Sequence, residues 1–232
     1  ILAGVIAGSV LFCAASLQQI GLIYTEAGKA GFITGLYIVM VPIFGIFLKQ
    51  RVHISTWLGI VLAIIGLYFL SVTAGFYISK GDLYVIIGAI FWAVHILVID
   101  HFTKKVDSLK LSFIQFVTCS TLSLTVALIF EKISIQSITM IIIPLLYGGT
   151  LSAGVAYTLQ AIGQKHAKPS HAAIALSMES VFASIGGYLI LKENLGARGY
   201  LGCALMLAGM LLSQYENFTK KPNINSLEQN NI

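Results

Sequence analysis

LKQRVHISTWLGIVLAIIGLYFL (48–70) lies over LKENLGARGYLGCALMLAGMLLS (191–213) at a constant offset of 143. Identical pairs include Leu48/Leu191, Lys49/Lys192, Leu58/Leu201, Gly59/Gly202 and Gly66/Gly209, and Trp57 faces Tyr200. Each copy is a charged break followed by an apolar run. The two glycines of each copy are seven residues apart, so they share one helical face and allow a neighbouring backbone to come close. Each copy also follows an apolar helix, and aligning those helices requires a small gap whose position the two strings leave open.

Runs of this kind fill the chain. With 57% hydrophobic residues, 10% charged residues and a mean hydropathy of +0.90, it falls outside the composition of soluble globular domains. A helix of about 20 apolar residues spans the hydrocarbon core. Eight runs qualify as spans: 2–23, 31–48, 57–73, 83–99, 111–130, 138–162, 171–191 and 200–213. The connections are too short for a soluble domain. Only helices or closed barrels satisfy the backbone in lipid, and the continuous runs lack the alternation of barrel strands. The expected fold class is an all-α polytopic membrane protein embedded in the lipid bilayer.

The repeated helix is the third run in one copy and the eighth in the other. Copies offset by five helices cross the membrane in opposite directions, the inverted-topology arrangement of secondary transporters. The second copy has five helices and the first has three, so two helices are expected before Ile1, where the chain starts inside an apolar run. There is no basic n-region and no cleavage site of the kind a signal peptide carries.

Lys and Arg are unevenly distributed between the two sides. One side carries Lys49, Arg51, Lys104, Lys105, Lys110, Lys165, Lys168, Lys220 and Lys221, and the other carries Lys29, Lys80, Lys132, Lys192 and Arg198. The positive-inside rule puts the richer side, with the C-terminus, in the cytoplasm of a plasma (inner) membrane. The net charge of +5 is accounted for by these loops and calls for no nucleic-acid partner. The polar, Asn-rich 217–232 segment is expected to be a disordered cytoplasmic tail. Cys13, Cys119 and Cys203 each sit alone in an apolar run and read as small core fillers.

Polar residues within the runs are the candidates for function. Glu179 shares a helical face with Ala172, Ala175, Ala183 and Gly186, so it is expected to point into the bundle. An ionised group at the bilayer centre costs about 2.5 to 3.5 kcal/mol on insertion scales, which is why such groups have partners or line watery cavities. It is read as a proton-coupling or amine-binding carboxylate, with a hydrogen-bonded helix contact as the plainer alternative. His95 shares a face with Gly88 and Trp92; its imidazole suits proton relay or solute contact, and Trp92 could stack on a planar or cationic solute. A neutral His hydrogen-bonded in the bundle is the alternative. His95, Asp100 and His101 do not converge on one face, so no metal is expected. Gln18, Gln19, Tyr37, Gln115, Tyr157 and Gln160 are weaker candidates, since an amide or phenol can equally link two helices for about 0.6 to 2 kcal/mol. Asp100 and Lys104 read as a solvated helix-end pair.

GLIYTEAGKAGFITGLYIVMVP (21–42) and AKPSHAAIALSMESVFASIGGYLILKENLGARGYLGCALMLAG (167–209) resemble the EamA-type transporters of the drug/metabolite transporter superfamily, and the resemblance covers all but the tail. It implies ten helices in two repeats around a central cavity. Residues 1–75 would then be the last three helices of the first repeat and 82–216 the complete second repeat. Ser180 stands where the family commonly has Pro after the Glu, so the helix break expected there should be absent or weaker.

The function expected is secondary transport of a small organic solute, such as an amino acid, metabolite or drug-like compound, by alternating access driven by an ion or solute gradient. Glu179, His95, Trp92, Tyr37, Gln18, Gln115 and Tyr157 would line the path. No cofactor is implied, and a homodimer is compatible with these features. Without G-x-x-x-x-G-K-[ST], H-E-x-x-H or G-x-S-x-G, neither nucleotide-driven transport nor an intramembrane enzyme is supported. A non-transporting membrane subunit or scaffold is the alternative.

Overall fold

Glycine allows two helix backbones to pack in close contact. A computed structural model of the chain describes residues 1–25, 27–50, 52–71, 79–131, 135–186, 189 and 196–219. Helix α4 (Ile54–Ser71) packs along α12 (Gly196–Thr219). A Cβ on Gly59 would sit 2.5 Å from the Gly209 carbonyl oxygen, and one on Gly66 would sit 2.6 Å from that of Gly202. In sequence Gly59 corresponds to Gly202 and Gly66 to Gly209; in space the partners are exchanged. Reciprocal exchange between equivalent positions is what a twofold axis relating two antiparallel copies produces. At the far end of this seam Arg198 stacks over Tyr68 at 5.4 Å and Phe69 at 5.7 Å.

The helices preceding these two are each broken once, in the same way. Between α2 (Ala27–Gly35) and α3 (Tyr37–Phe47), the Leu36 N–H donates to Ile33 O and the Leu36 carbonyl accepts from Val39 and Met40 N–H. Between α10 (Pro169–Ser177) and α11 (Glu179–Gly186), Met178 N–H donates to Ala175 O and the Met178 carbonyl accepts from Val181 and Phe182 N–H. All four positions correspond at an offset of 142, one less than in α4 and α12, so the gap lies after these turns. Tyr37 and Glu179 are therefore equivalent residues, each the first beyond its break. The break at Met178 forms with Ser180 in place of Pro, contrary to the sequence expectation. A single tight turn of i→i−3 bonds interrupts the helix without needing a missing N–H.

The remaining helices are α1 (Leu2–Leu22), α5 (Lys80–Thr103), α6 (Ser108–Phe130), α7 (Ile135–Met140), α8 (Ile142–Leu146) and α9 (Tyr157–Gln164), with a π-helical stretch at Tyr147–Ala156. A capping box starts α5: Ser79 Oγ accepts from Asp82 N–H and Asp82 Oδ2 accepts from Ser79 N–H. Asp107 Oδ1 caps α6 by accepting from Lys110 N–H.

Among the described residues, six helical stretches are long and apolar enough to cross a membrane, judged by length and composition: Leu2–Leu22, Ala30–Phe47, Lys80–Thr103, Ser108–Phe130, Ile142–Gln164 and Gly196–Ser213. The third expected run gives the shorter apolar helix Ile54–Phe69. The seventh run divides into α10 and α11. Its end, like that of the third run and like residues 220–232 of the tail, lies outside the described residues. The run 138–162, expected as one helix, changes pitch through the π stretch. Together these elements form a multi-pass integral membrane protein.

Two of the apolar clusters that join the halves lie around the broken helices. Ile38, Ile60, Ala63 and Ile174 bring together α3, α4 and α10, and Val41, Ala93, Ile96, Leu97 and Ala173 bring together α3, α5 and α10. Both clusters are fully or almost fully buried, so the broken helices form the centre of the bundle and α5 is fixed against them.

Candidate functional site within the membrane

Small residues let α1 approach α6 closely enough to bury polar groups between them. A Cβ on Gly8 would sit 2.5 Å from the Gln115 carbonyl oxygen, and one on Gly4 would strike the Ile114 side chain. Gln115 is fully buried there, and its Oε1 accepts from His95 Nε2 at 3.1 Å. With the proton on Nε2, a neutral imidazole presents Nδ1 as an acceptor. His95 Nδ1, Gln115 Nε2 and Ser112 Oγ are buried without a hydrogen-bond partner. Ser112 precedes Gln115 by three residues and so lies on the same face of α6. An unpaired buried polar group costs about 1–3 kcal/mol, so each of these three atoms would gain from a partner.

One turn before His95 on α5, Trp92 Nε1–H donates to Gln18 Oε1 of α1 at 2.8 Å. The Trp92 ring stacks nearly parallel on Tyr157, with centroids 5.9 Å apart and planes 8° apart. His95 meets Tyr157 edge-on at 6.3 Å, and Phe116 flanks it at 6.4 Å. Tyr157 is the first residue after the π stretch. Each π turn takes one more residue than an α turn and so re-aims the side chains beyond it.

Tyr157 links this group to the break positions. Glu179 is an electrostatic neighbour of both Tyr157 and its own counterpart Tyr37. Its side chain is exposed, and so is Ala175 one turn before it, whereas Ala172 is buried. The carboxylate thus borders open space beside the two phenols, instead of packing within a closed small-residue stripe. Tyr37, Trp92 and Tyr157 are each partly buried.

The structure thus brings the seven residues expected to line the path into one group of neighbours, from α1, α3, α5, α6, α9 and α11. Two of the weaker candidates, Gln19 and Gln160, separate from it. Gln19 is exposed, and Gln160 Nε2–H donates to Gln164 Oε1 within α9. Asp100 and Lys104 do pair, at 2.7 Å, yet the Asp100 side chain is only 6% exposed. The pair is therefore half-buried, not solvated as expected, because neighbouring helices cover the α5 end. Ser112 and Phe116 were missed by the sequence reading. Their signal was available, since both flank Gln115 on α6 at spacings of three and one.

The EamA-like transporter family model matches residues 79–215. A protein of Archaeoglobus fulgidus described as an uncharacterized transporter is 34% identical over 211 residues, covering 88% of this chain and 66% of that protein. A second from the same organism, with the same description, is 25% identical over 194 residues, covering 83% and 68% respectively. An uncharacterized transporter of Acidianus ambivalens is 24% identical, covering 90% and 82%. The chain thus spans about two thirds of the length of the first two relatives. One crystal structure shares the fold, with a TM-score of 0.76 at 17% identity over 93% of this chain and 78% of that one. With more than half of its length matched by the family model, the chain belongs to the EamA-like transporter family.

Proposed function

We propose that the chain is part of a secondary transporter that moves a small organic solute through the space bordered by Glu179, Tyr37, Tyr157 and Trp92. Alternating access, driven by an ion or solute gradient, would expose that space to each side in turn. The observation that carries this reading is an exposed carboxylate beside two phenols, at the pseudo-symmetric breaks of two helices, in a run read from sequence as a membrane span. A charge in that place is costly unless it meets water, an ion or a solute. The stacked Trp92 and Tyr157 rings give a flat apolar wall, and the unpaired atoms of His95, Gln115 and Ser112 offer polar contacts behind it. The Lys-rich ends of α3, α5 and α9 would face the cytoplasm of the plasma membrane.

The test is solute flux in sealed vesicles containing the protein at its natural length, with wild type and Glu179→Gln compared. Because Glu179 is exposed, the Gln variant should fold with an unchanged melting temperature and lose at least about tenfold in gradient-driven flux, which is about 1.4 kcal/mol of lost coupling or binding. Wild-type flux in the variant at every pH tested would remove Glu179 from the mechanism.

A further inference from the structure

A cavity of about 670 Å³ opens at the Lys-rich side of the bundle, within the roughly 300–1,000 Å³ range of small-ligand sites. It shares no lining residue with the intramembrane group. Three lysines, Lys104, Lys165 and Lys168, and three histidines, His53, His166 and His171, line it, and no acidic side chain does so among the described residues. Four of these six, Lys165, His166, Lys168 and His171, come from one basic stretch between α9 and the start of α10, and the fold adds His53 from the approach to α4 and Lys104 from the end of α5.

The lining groups differ in what already holds them. Lys104 is paired with Asp100, while Lys165 has no ion pair with a described residue and is exposed. His53 Nδ1 accepts from Ser55 N–H at 3.2 Å, so a neutral imidazole keeps its proton on Nε2 as a donor. His171 Nε2 is tied to Thr56 Oγ1 at 3.3 Å, which fixes the wall between α4 and α10. The nine-residue helix α10 begins inside the lining with Pro169 at its first position and no side-chain cap. Its positive end adds to the potential of the lysines. Like charges converging on one concave space repel one another unless an anion is present.

We propose that this cavity is a binding site for a phosphate group, carried either on an acidic phospholipid at the membrane surface or on a soluble phosphate. Basic pockets between helices at this level of a bilayer suit lipid headgroups, and the same donors suit free phosphate. The site shares no lining residue with the proposed solute path, so binding tests it separately from transport.

The protein at its natural length is placed in nanodiscs of phosphatidylcholine and titrated with inorganic phosphate at low ionic strength, where screening is least. In parallel, nanodiscs containing phosphatidylglycerol are stripped and retained lipid is counted by native mass spectrometry. Lys165→Gln/Lys168→Gln is compared with Lys165→Arg/Lys168→Arg in both experiments. Saturable phosphate binding that weakens at least tenfold in the Gln pair and survives in the Arg pair identifies a soluble ligand. No phosphate binding, but phosphatidylglycerol retained by wild type and the Arg pair and lost by the Gln pair, identifies the headgroup. Neither, or binding that the Gln pair leaves unaltered, overturns the proposal. The single Lys165→Gln variant gives the same reading in smaller measure if the pair lowers the yield of folded protein.

Discussion

The seam between α4 and α12 and the polar group around His95 are both helix contacts in lipid, built on opposite principles. In the seam, glycine brings backbones together until no side chain fits between Gly59 and Gly209 or between Gly66 and Gly202. Around His95, α1, α5, α6 and α9 are joined by amide, imidazole and indole side chains, and three of the buried polar atoms remain unpaired. Lipid supplies no hydrophobic drive between helices, so contact must come from close packing or polar bonds. The seam uses the first, and the polar group uses the second.

The comparison is broken most severely at the seam. Gly59→Leu puts its first side-chain atom into the Gly209 carbonyl, and overpacking of this kind costs about 1–3 kcal/mol or more. We expect the largest fall in melting temperature and in monodisperse yield, and a variant as stable as wild type would refute the close approach. Gly66→Leu should behave alike, because it meets Gly202 in the same way.

Next comes the polar group, where the pattern across variants matters more than any one value. His95→Leu and Gln115→Leu each leave a buried partner unbonded, at about 1–3 kcal/mol apiece. The double variant should cost less than the sum of the two, because it removes both members of the pair. Strict additivity in thermal or denaturant unfolding would mean that the two side chains do not interact.

Smaller effects sharpen the contrast. Trp92→Phe keeps an aromatic ring against Tyr157 but loses the bond to Gln18, for about 0.5–1.5 kcal/mol. If flux then falls by much more than stability, the indole N–H serves the solute path; equal losses assign it to packing. The least change is expected from Arg198→Gln, which removes the stacking over Tyr68 and Phe69 at the exposed end of the seam, for about 0.5–1 kcal/mol. An indistinguishable melting temperature would show that the glycines alone hold that end.

Several parts of this architecture are legible in one dimension because their cause is local or periodic. The spans follow from runs of apolar residues, and the glycine faces follow from a seven-residue spacing. The reversal of the two copies follows from counting helices between Gly59 and Gly202. Polar side chains stand out individually against such a background, which is why Glu179, His95 and Gln115 could be named from the string. Their joint placement was not legible, because the spacing within one helix says nothing about which other helix it meets.

Composition and periodicity thus determine, without coordinates, that the chain is a helical membrane protein with an internal repeat and a few costly polar residues in its spans. The three-dimensional contacts alone decide that Tyr37 and Glu179 are counterparts, since equivalence rests on matching hydrogen bonds around Leu36 and Met178. They decide too that Glu179 is exposed, and that His53 and Lys104 join the basic stretch 165–171 around a single cavity. Burial within a helix is written in its own sequence by the cost of exposing or hiding each group, whereas convergence between helices depends on packing between distant segments.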